Sequence, residues 1–337
     1  MEITRVVDRT AGTASTESTL LQGDTDHGIK NSPRCDQALR PGQNDLHHGW
    51  SGAQYKEGMT MRKDNNKGRP GPRYRMPTVF GASAGPRGDC AGNPYDYSDA
   101  PRTVASVSFL TEAAALSRLL PEGFKLYGEP VLTVEFTQLT ELPWLAGRGY
   151  NILMVRFGAE FEGRDDRANG AFLPVLWENS PEAILTGREE LGYAKLYCEL
   201  PDARVLPGQR EQIASWDSHT FVRMQMQDLQ DAVPPESAPF DVNKGVMHWR
   251  YLPKVSAPGE AEVAQAVLTP AGGYPIRYES FKRGTGSVSF ARTTWAQMPT
   301  MFHIVNALAE LPQYEPRGAL CMLTRGAKDI SDQRVLR

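Results

Sequence analysis

The chain has no run of about 18 apolar residues, so no segment reads as a membrane-crossing helix. It opens without the apolar core of a secretory leader, and the expected compartment is the cytoplasm. Its four cysteines, Cys35, Cys90, Cys198 and Cys321, are scattered and share no metal-ligand spacing; free thiols are expected. Charge of one sign is not in excess either. Lys and Arg number 37 against 40 Asp and Glu, a net charge of −3, which argues against nucleic acid or an anionic membrane as partner. His219, His248 and His303 lie far apart without ligand spacing and read as ordinary core or surface residues. Gly284-Thr-Gly286 is too short for a phosphate loop. No metal and no cofactor is expected.

Residues 1–75 are poor in core-forming side chains. They hold eight Ile, Leu or Val residues and no Phe. Such a segment cannot bury enough apolar surface to offset the entropy of ordering. It is expected to be disordered, or to be an extension upstream of a start at Met76. Its basic stretch, 62–75, reads as a solvated linker; a nucleic-acid or import tail is the alternative reading.

From Met76 onward the pattern changes. Val104–Phe109 alternates, and Val131–Gln138, Tyr150–Phe161, Ala171–Trp177, Lys195–Leu200, Thr220–Met226, His248–Pro253 and Ala264–Thr269 read as strands, with Ser287–Ala291 a further candidate. A short helix is expected over 111–120 with Thr111 as its N-cap, and another near Met301–Leu311, ended by Pro312. Many strands and few helices predict an α+β fold: a largely antiparallel β-barrel or curved sheet with a few flanking helices. Without an internal linker, 76–330 is expected to form one domain. Trp144, Trp177 and Trp249 are expected in its core.

One lysine sits where chemistry is expected. Ser180-Pro-Glu-Ala-Ile-Leu leads into Gly187-Arg188-Glu189, Gly192 breaks the segment, and Lys195 follows in an alternating strand. Alternation puts Tyr193, Lys195, Tyr197 and Glu199 on one face and Ala194, Leu196, Cys198 and Leu200 on the other. An amine becomes a nucleophile only when its ammonium form is destabilised, by loss of water or by a nearby positive charge. Arg188 and Glu189 read as an ion pair that positions this segment.

Several blocks appear in a fixed order: Met76-Pro-Thr-Val-Phe-Gly81, Leu120-Pro-Glu-Gly-Phe124, Glu129-Pro-Val-Leu-Thr-Val-Glu135, the run from Glu141 to Asn151, Pro174-Val-Leu-Trp-Glu-Asn179, and Gly187-Arg-Glu-Glu-Leu-Gly-Tyr-Ala-Lys195. Together they resemble the acetoacetate decarboxylase superfamily, from about Met76 to about Ala319. The resemblance implies that Lys195 forms a Schiff base with a keto substrate. It places a substrate-site arginine on Arg102 and an active-site glutamate on Glu135. A second glutamate of the decarboxylases maps near Arg148, and the lysine that follows the Schiff-base lysine is here Leu196. The expected catalytic residues are Lys195 and Glu135. Arg102, Arg148, Tyr193 and Tyr197 are the expected substrate-binding residues, the arginines holding a carboxylate and one tyrosine sharing proton transfer with Glu135.

The implied function is a cofactor-free lyase on a keto carboxylic acid, by decarboxylation or by aldol condensation and dehydration. A homo-oligomer is expected. The competing reading is a small-molecule-binding barrel that keeps the fold without turnover.

Overall fold

In the computed structural model, residues 71–234, 245–272 and 276–337 are described. Strands dominate. Along the chain come β1 (Pro101–Leu110), helix α1 (Ala113–Ser117), β2 (Phe124–Leu126), β3 (Val131–Leu139), β4 (Tyr150–Glu162), β5 (Arg167–Glu178) and helix α2 (Pro181–Thr186). Then follow β6 (Lys195–Tyr197), β7 (Arg204–Leu206), β8 (Gln209–Trp216), β9 (His219–Asp231), β10 (Val246–Pro253), β11 (Ala261–Thr269), β12 (Arg277–Phe290), helix α3 (Phe302–Ala309), β13 (Glu315–Arg325) and β14 (Arg334–Leu336).

These strands form one sheet in the order β14-β11-β10-β5-β4-β3-β1-β13-β12-β9-β8-β7, with β2 on β4 and β6 on β5. Pairing is antiparallel except where β5 meets β10 and β6. The sheet is curved and mixed, with free ends at β14 and β7, so it is not a closed barrel. Among the described residues no helix is long and apolar enough to cross a membrane.

Register assigns the two faces. Val107, Val134, Val155 and Val175 stand opposite one another across β1, β3, β4 and β5, as do Ala105, Phe136, Leu153 and Trp177. These side chains are buried in the main core, where Val305 and Leu308 of α3 join them. Burying such β-branched and aromatic rows is the largest favourable contribution to folding. The opposite face carries the polar residues described below.

Three local expectations change. Thr111 does not cap α1: its hydroxyl is buried without a hydrogen-bond partner, and Glu112 is the N-cap instead. The β6 ladder ends at Tyr197, although burial still alternates through Cys198 and Leu200. Strands β2, β7, β8, β13 and β14 have no counterpart among the expected strands. Strand β13 begins Glu315-Pro-Arg-Gly, which reads as a turn because Pro and Gly are breakers.

Residues 1–70 lie outside the described residues, and with them most of the expected disordered segment. The last part of that segment is placed. Arg75 donates to Glu190 and to the Ser83 carbonyl (2.7 Å), and Arg73 lies 3.6 Å from Glu190. A chain starting at residue 71 is therefore expected to unfold at a higher temperature than one starting at 76. The difference should correspond to about 1.5–3 kcal/mol, the usual range for hydrogen bonds to a charged group. Paired thermal melts check this.

Candidate active site

The segment before Lys195 builds a socket for it. Ser180 caps α2, its hydroxyl accepting from the Ala183 N–H (3.3 Å), and Pro181 occupies the first turn, where no N–H is needed. A widened turn over Gly187–Leu191 follows, ended by Gly192 at φ +72°, a conformation that suits glycine. This returns the chain beneath α2, so that Lys195 points back into the turn. Its Nζ donates to Glu178 Oε1 (2.7 Å) and to the Ala183 carbonyl (3.1 Å). Gly187 lies against the lysine: a Cβ there would stand 2.5 Å from Nζ.

Lys195 is 8% exposed and Glu178 1%. Burial dominates both titrations. It holds the Lys195 ammonium below its usual range, against the opposing pull of Glu178 and with help from the Arg87 charge. It raises the Glu178 carboxyl, against Lys195. Burial thus works against the charged form of both groups, while their ion pair works for it. Glu178 Oε2 is buried without a hydrogen-bond partner.

Register brings further expected residues onto this face. Lys195 stands opposite Leu176, Leu176 opposite Met154, and Met154 opposite Glu135. Three strand spacings put Glu135 about 14 Å from Lys195 along the backbone, across a floor of Leu176 and Met154. Glu135 is ion-paired with Arg156 and accepts from the Thr137 hydroxyl (3.0 Å). Arg102 lies near it on β1. Burial lowers the Arg102 pKa, Glu135 opposes this, and Arg156 and Tyr278 also act on it. Its Nε is buried and has no hydrogen-bond partner. Arg102 is thus a buried cation with an unpartnered Nε beside the Glu135–Arg156 pair, which suits an anionic substrate group.

Arg148 and Tyr197 do not join this arrangement. Arg148 is exposed on the turn before β4, where its Nη1 donates to the Leu145 carbonyl (3.3 Å). Tyr197 follows Lys195 on the strand but is 46% exposed. Tyr193 is buried, with its hydroxyl 2.6 Å from that of Thr269 and its ring stacked on His248. Its hydroxyl and its ring are thus both engaged by β11 and β10. Arg188 also differs from expectation. Its Nη1 donates to the Lys195 carbonyl (2.8 Å), so it positions the segment through the backbone; the ion-paired acid is Glu190, held by Arg73, Arg75 and Arg87. Among the described residues no group of three His, Cys, Asp or Glu could hold a metal.

The acetoacetate decarboxylase (ADC) family model matches residues 80–314, more than half of the chain. The chain belongs to this family. Solved structures agree on the fold. MppR, an enduracididine biosynthesis enzyme complexed with pyruvate, has a TM-score of 0.57 at 16% identity, covering 79% of this chain and 98% of that one. An acetoacetate decarboxylase has a TM-score of 0.56 at 15% identity, covering 72% and 91%. Another, from Legionella pneumophila, has 0.53 at 18%, covering 81% and 94%. No curated protein matches the chain.

In this acetoacetate decarboxylase family member, Glu178, Arg87 and Arg156 belong to the site without a local signal in the sequence that marks them. Glu178 stood in view, within the Pro174–Asn179 block, but nothing local marks it as the partner of a lysine 17 residues on. Arg87 is 3% exposed and ties Glu190 to the Thr186 carbonyl (3.1 Å), next to Gly187. Burial would raise the Glu190 carboxyl, but hydrogen bonds from Arg87 and Arg75 hold it below its usual range. A cavity of about 530 Å³, lined by Tyr127, Arg283 and Arg317 among others, contains none of the Lys195 site residues.

Behind the socket, His248 is fully buried, and its Nε2 lies 3.1 Å from the Leu191 carbonyl. Burial lowers its pKa to about 4. Between that value and the unfolded value near 6.5, the unfolded chain binds the extra proton, so stability rises with pH through this window. Acidification from pH 6.5 to 4 is expected to cost on the order of 3 kcal/mol through His248. Urea unfolding at several pH values, with His248→Phe as the flattened control, checks this.

Proposed function

We propose that this acetoacetate decarboxylase family member is a cofactor-free Schiff-base lyase acting on a keto carboxylic acid through Lys195. The observation that carries the reading is the buried Lys195 amine, held 2.7 Å from a buried carboxylate, at the place where the family signature leads. A neutral amine attacks the ketone, water leaves, and the iminium accepts the electrons released when carbon dioxide departs or when a carbanion forms for aldol addition. Arg102, in place of the Arg148 clamp, holds the substrate carboxylate, and Glu135, paired with Arg156, remains the proposed proton carrier beside it.

Two relatives bracket the chemistry by name. One is an acetoacetate decarboxylase; the other, MppR, was solved with the condensation product of pyruvate and imidazole 4-carboxaldehyde. Borohydride added with pyruvate, and separately with acetoacetate, is expected to leave a stable adduct on Lys195 and on no other lysine. No adduct, or an adduct elsewhere, rejects the reading in favour of a binding protein that keeps the fold.

Acetoacetate itself is expected to be a poor substrate. Leu196 stands where the decarboxylases carry a second lysine, and it packs against the core side of the sheet, opposite Trp177. The Arg87 charge is ion-paired with Glu190. Desolvation must therefore do most of the activation, which favours a larger, more apolar keto acid that excludes water over the Met154 and Leu176 floor. Carbon dioxide release should be compared on acetoacetate and on longer keto acids. Turnover of acetoacetate in the ordinary enzyme range of about 1–1000 per second contradicts this.

A further inference from the structure

We infer that Glu178 is a catalytic residue, the carboxylate that accepts the Lys195 proton and delivers it to the oxygen leaving the carbinolamine. The inference rests on the Schiff-base reading and adds a residue to it. Three observations carry it. Oε1 touches the reacting nitrogen, Nζ of Lys195, at 2.7 Å. Oε2 is buried with no hydrogen-bond partner, so it is free to carry a proton to the substrate oxygen. The side chain is 1% exposed, so water does not compete for that oxygen. A carboxylate kept only to neutralise a buried lysine leaves its second oxygen costly and idle.

The proton balance closes. Lys195 begins as ammonium and Glu178 as carboxylate, and the proton passes to Glu178. The neutral amine forms the carbon–nitrogen bond as the carbonyl π electrons move to oxygen. Glu178 protonates that oxygen, then takes a proton from the nitrogen. It gives this second proton to the hydroxyl, which departs as water while the carbon–nitrogen double bond forms. Glu178 ends as carboxylate beside the iminium. The other ionisable groups acting on the pair are Arg87, on Lys195, and Tyr150, within electrostatic reach of Glu178.

The test is the rate of borohydride trapping against pH in Glu178→Gln, a near-isosteric change. Trapping on Lys195 is expected to slow by about 100-fold or more, the usual range for loss of a general acid–base group. The pH midpoint of trapping should move down, because the carboxylate that favours the ammonium is gone. Trapping at the native rate overturns the role. A native protein that gives no adduct rejects the Schiff-base reading itself, which is a separate result. If circular dichroism shows Glu178→Gln unfolded, Glu178→Asp takes its place. Its carboxylate sits one methylene back, so trapping should slow while the midpoint stays; a native rate again overturns the role.

Discussion

Lys195→Ala is expected to lower keto-acid turnover by at least about a thousandfold, since loss of a covalent nucleophile leaves only binding and electrostatics. It should also change stability in a way that depends on pH. Removing one partner of a buried ion pair typically costs about 3–5 kcal/mol, because the other charge is left uncompensated. Here that partner is Glu178, whose carboxyl burial already raises. Without Lys195 nothing opposes that rise. A carboxyl with a raised folded pKa binds its proton more tightly in the folded chain, so the lost stability returns as pH falls through the folded pKa. The native protein should show less of this recovery. Denaturant unfolding of Lys195→Ala at neutral and acidic pH, with Lys195→Met/Glu178→Gln as the uncharged reference, checks both signs. Loss of turnover with unchanged, pH-independent stability would mean that the two groups are not coupled.

Gly187→Ala is expected to give a folded protein with about a hundredfold slower adduct formation, the effect of displacing a reacting atom by roughly 1 Å. Gly187 does not need its conformational freedom: its φ of −73° is helical and suits alanine. What it supplies is space. An added Cβ would meet Lys195 Cε at 2.3 Å and Nζ at 2.5 Å, so the lysine must leave its place and its hydrogen bond to Glu178. The lysine stem is flexible, and the stability change should stay within the 1–3 kcal/mol or so typical of overpacking. Thermal unfolding and trapping rates on the same sample separate the two effects. A native trapping rate would show that the turn around Gly187 is loose.

The path from sequence to site was uneven, for physical reasons. Lys195 was legible because the segment before it carries its own punctuation: a capped, proline-started turn, a Gly-Arg-Glu run and a terminating glycine. Arg102 and Glu135 were legible through the resemblance, and β1 and β3 bring both onto one sheet face. Arg148 was misleading because a glycine-flanked arginine reads equally as a turn or as a clamp; the exposed turn won. Tyr197 was misleading because alternation fixes a face and leaves exposure open, and β6 ends there. Thr111 read as a cap, but the helix starts one residue later and the Thr111 hydroxyl takes no hydrogen bond.

By itself the sequence determined the strongly patterned elements: alternation that forms half-buried strands such as β1, β3, β4 and β5, and a lysine placed by a short, strongly punctuated segment. These follow from interactions within a few residues. Only the tertiary structure decided which charges meet. Glu178 reaches Lys195 because β5 and β6 pair in parallel, Arg156 reaches Glu135 because β3 and β4 pair in one register, and Arg87 reaches Glu190 across 103 residues of chain. A one-residue slip in any of these ladders would send the same side chains to the opposite face. That register is set by burial of the Val and Trp177 rows on the far side, a cooperative property of the whole sheet that no local window contains.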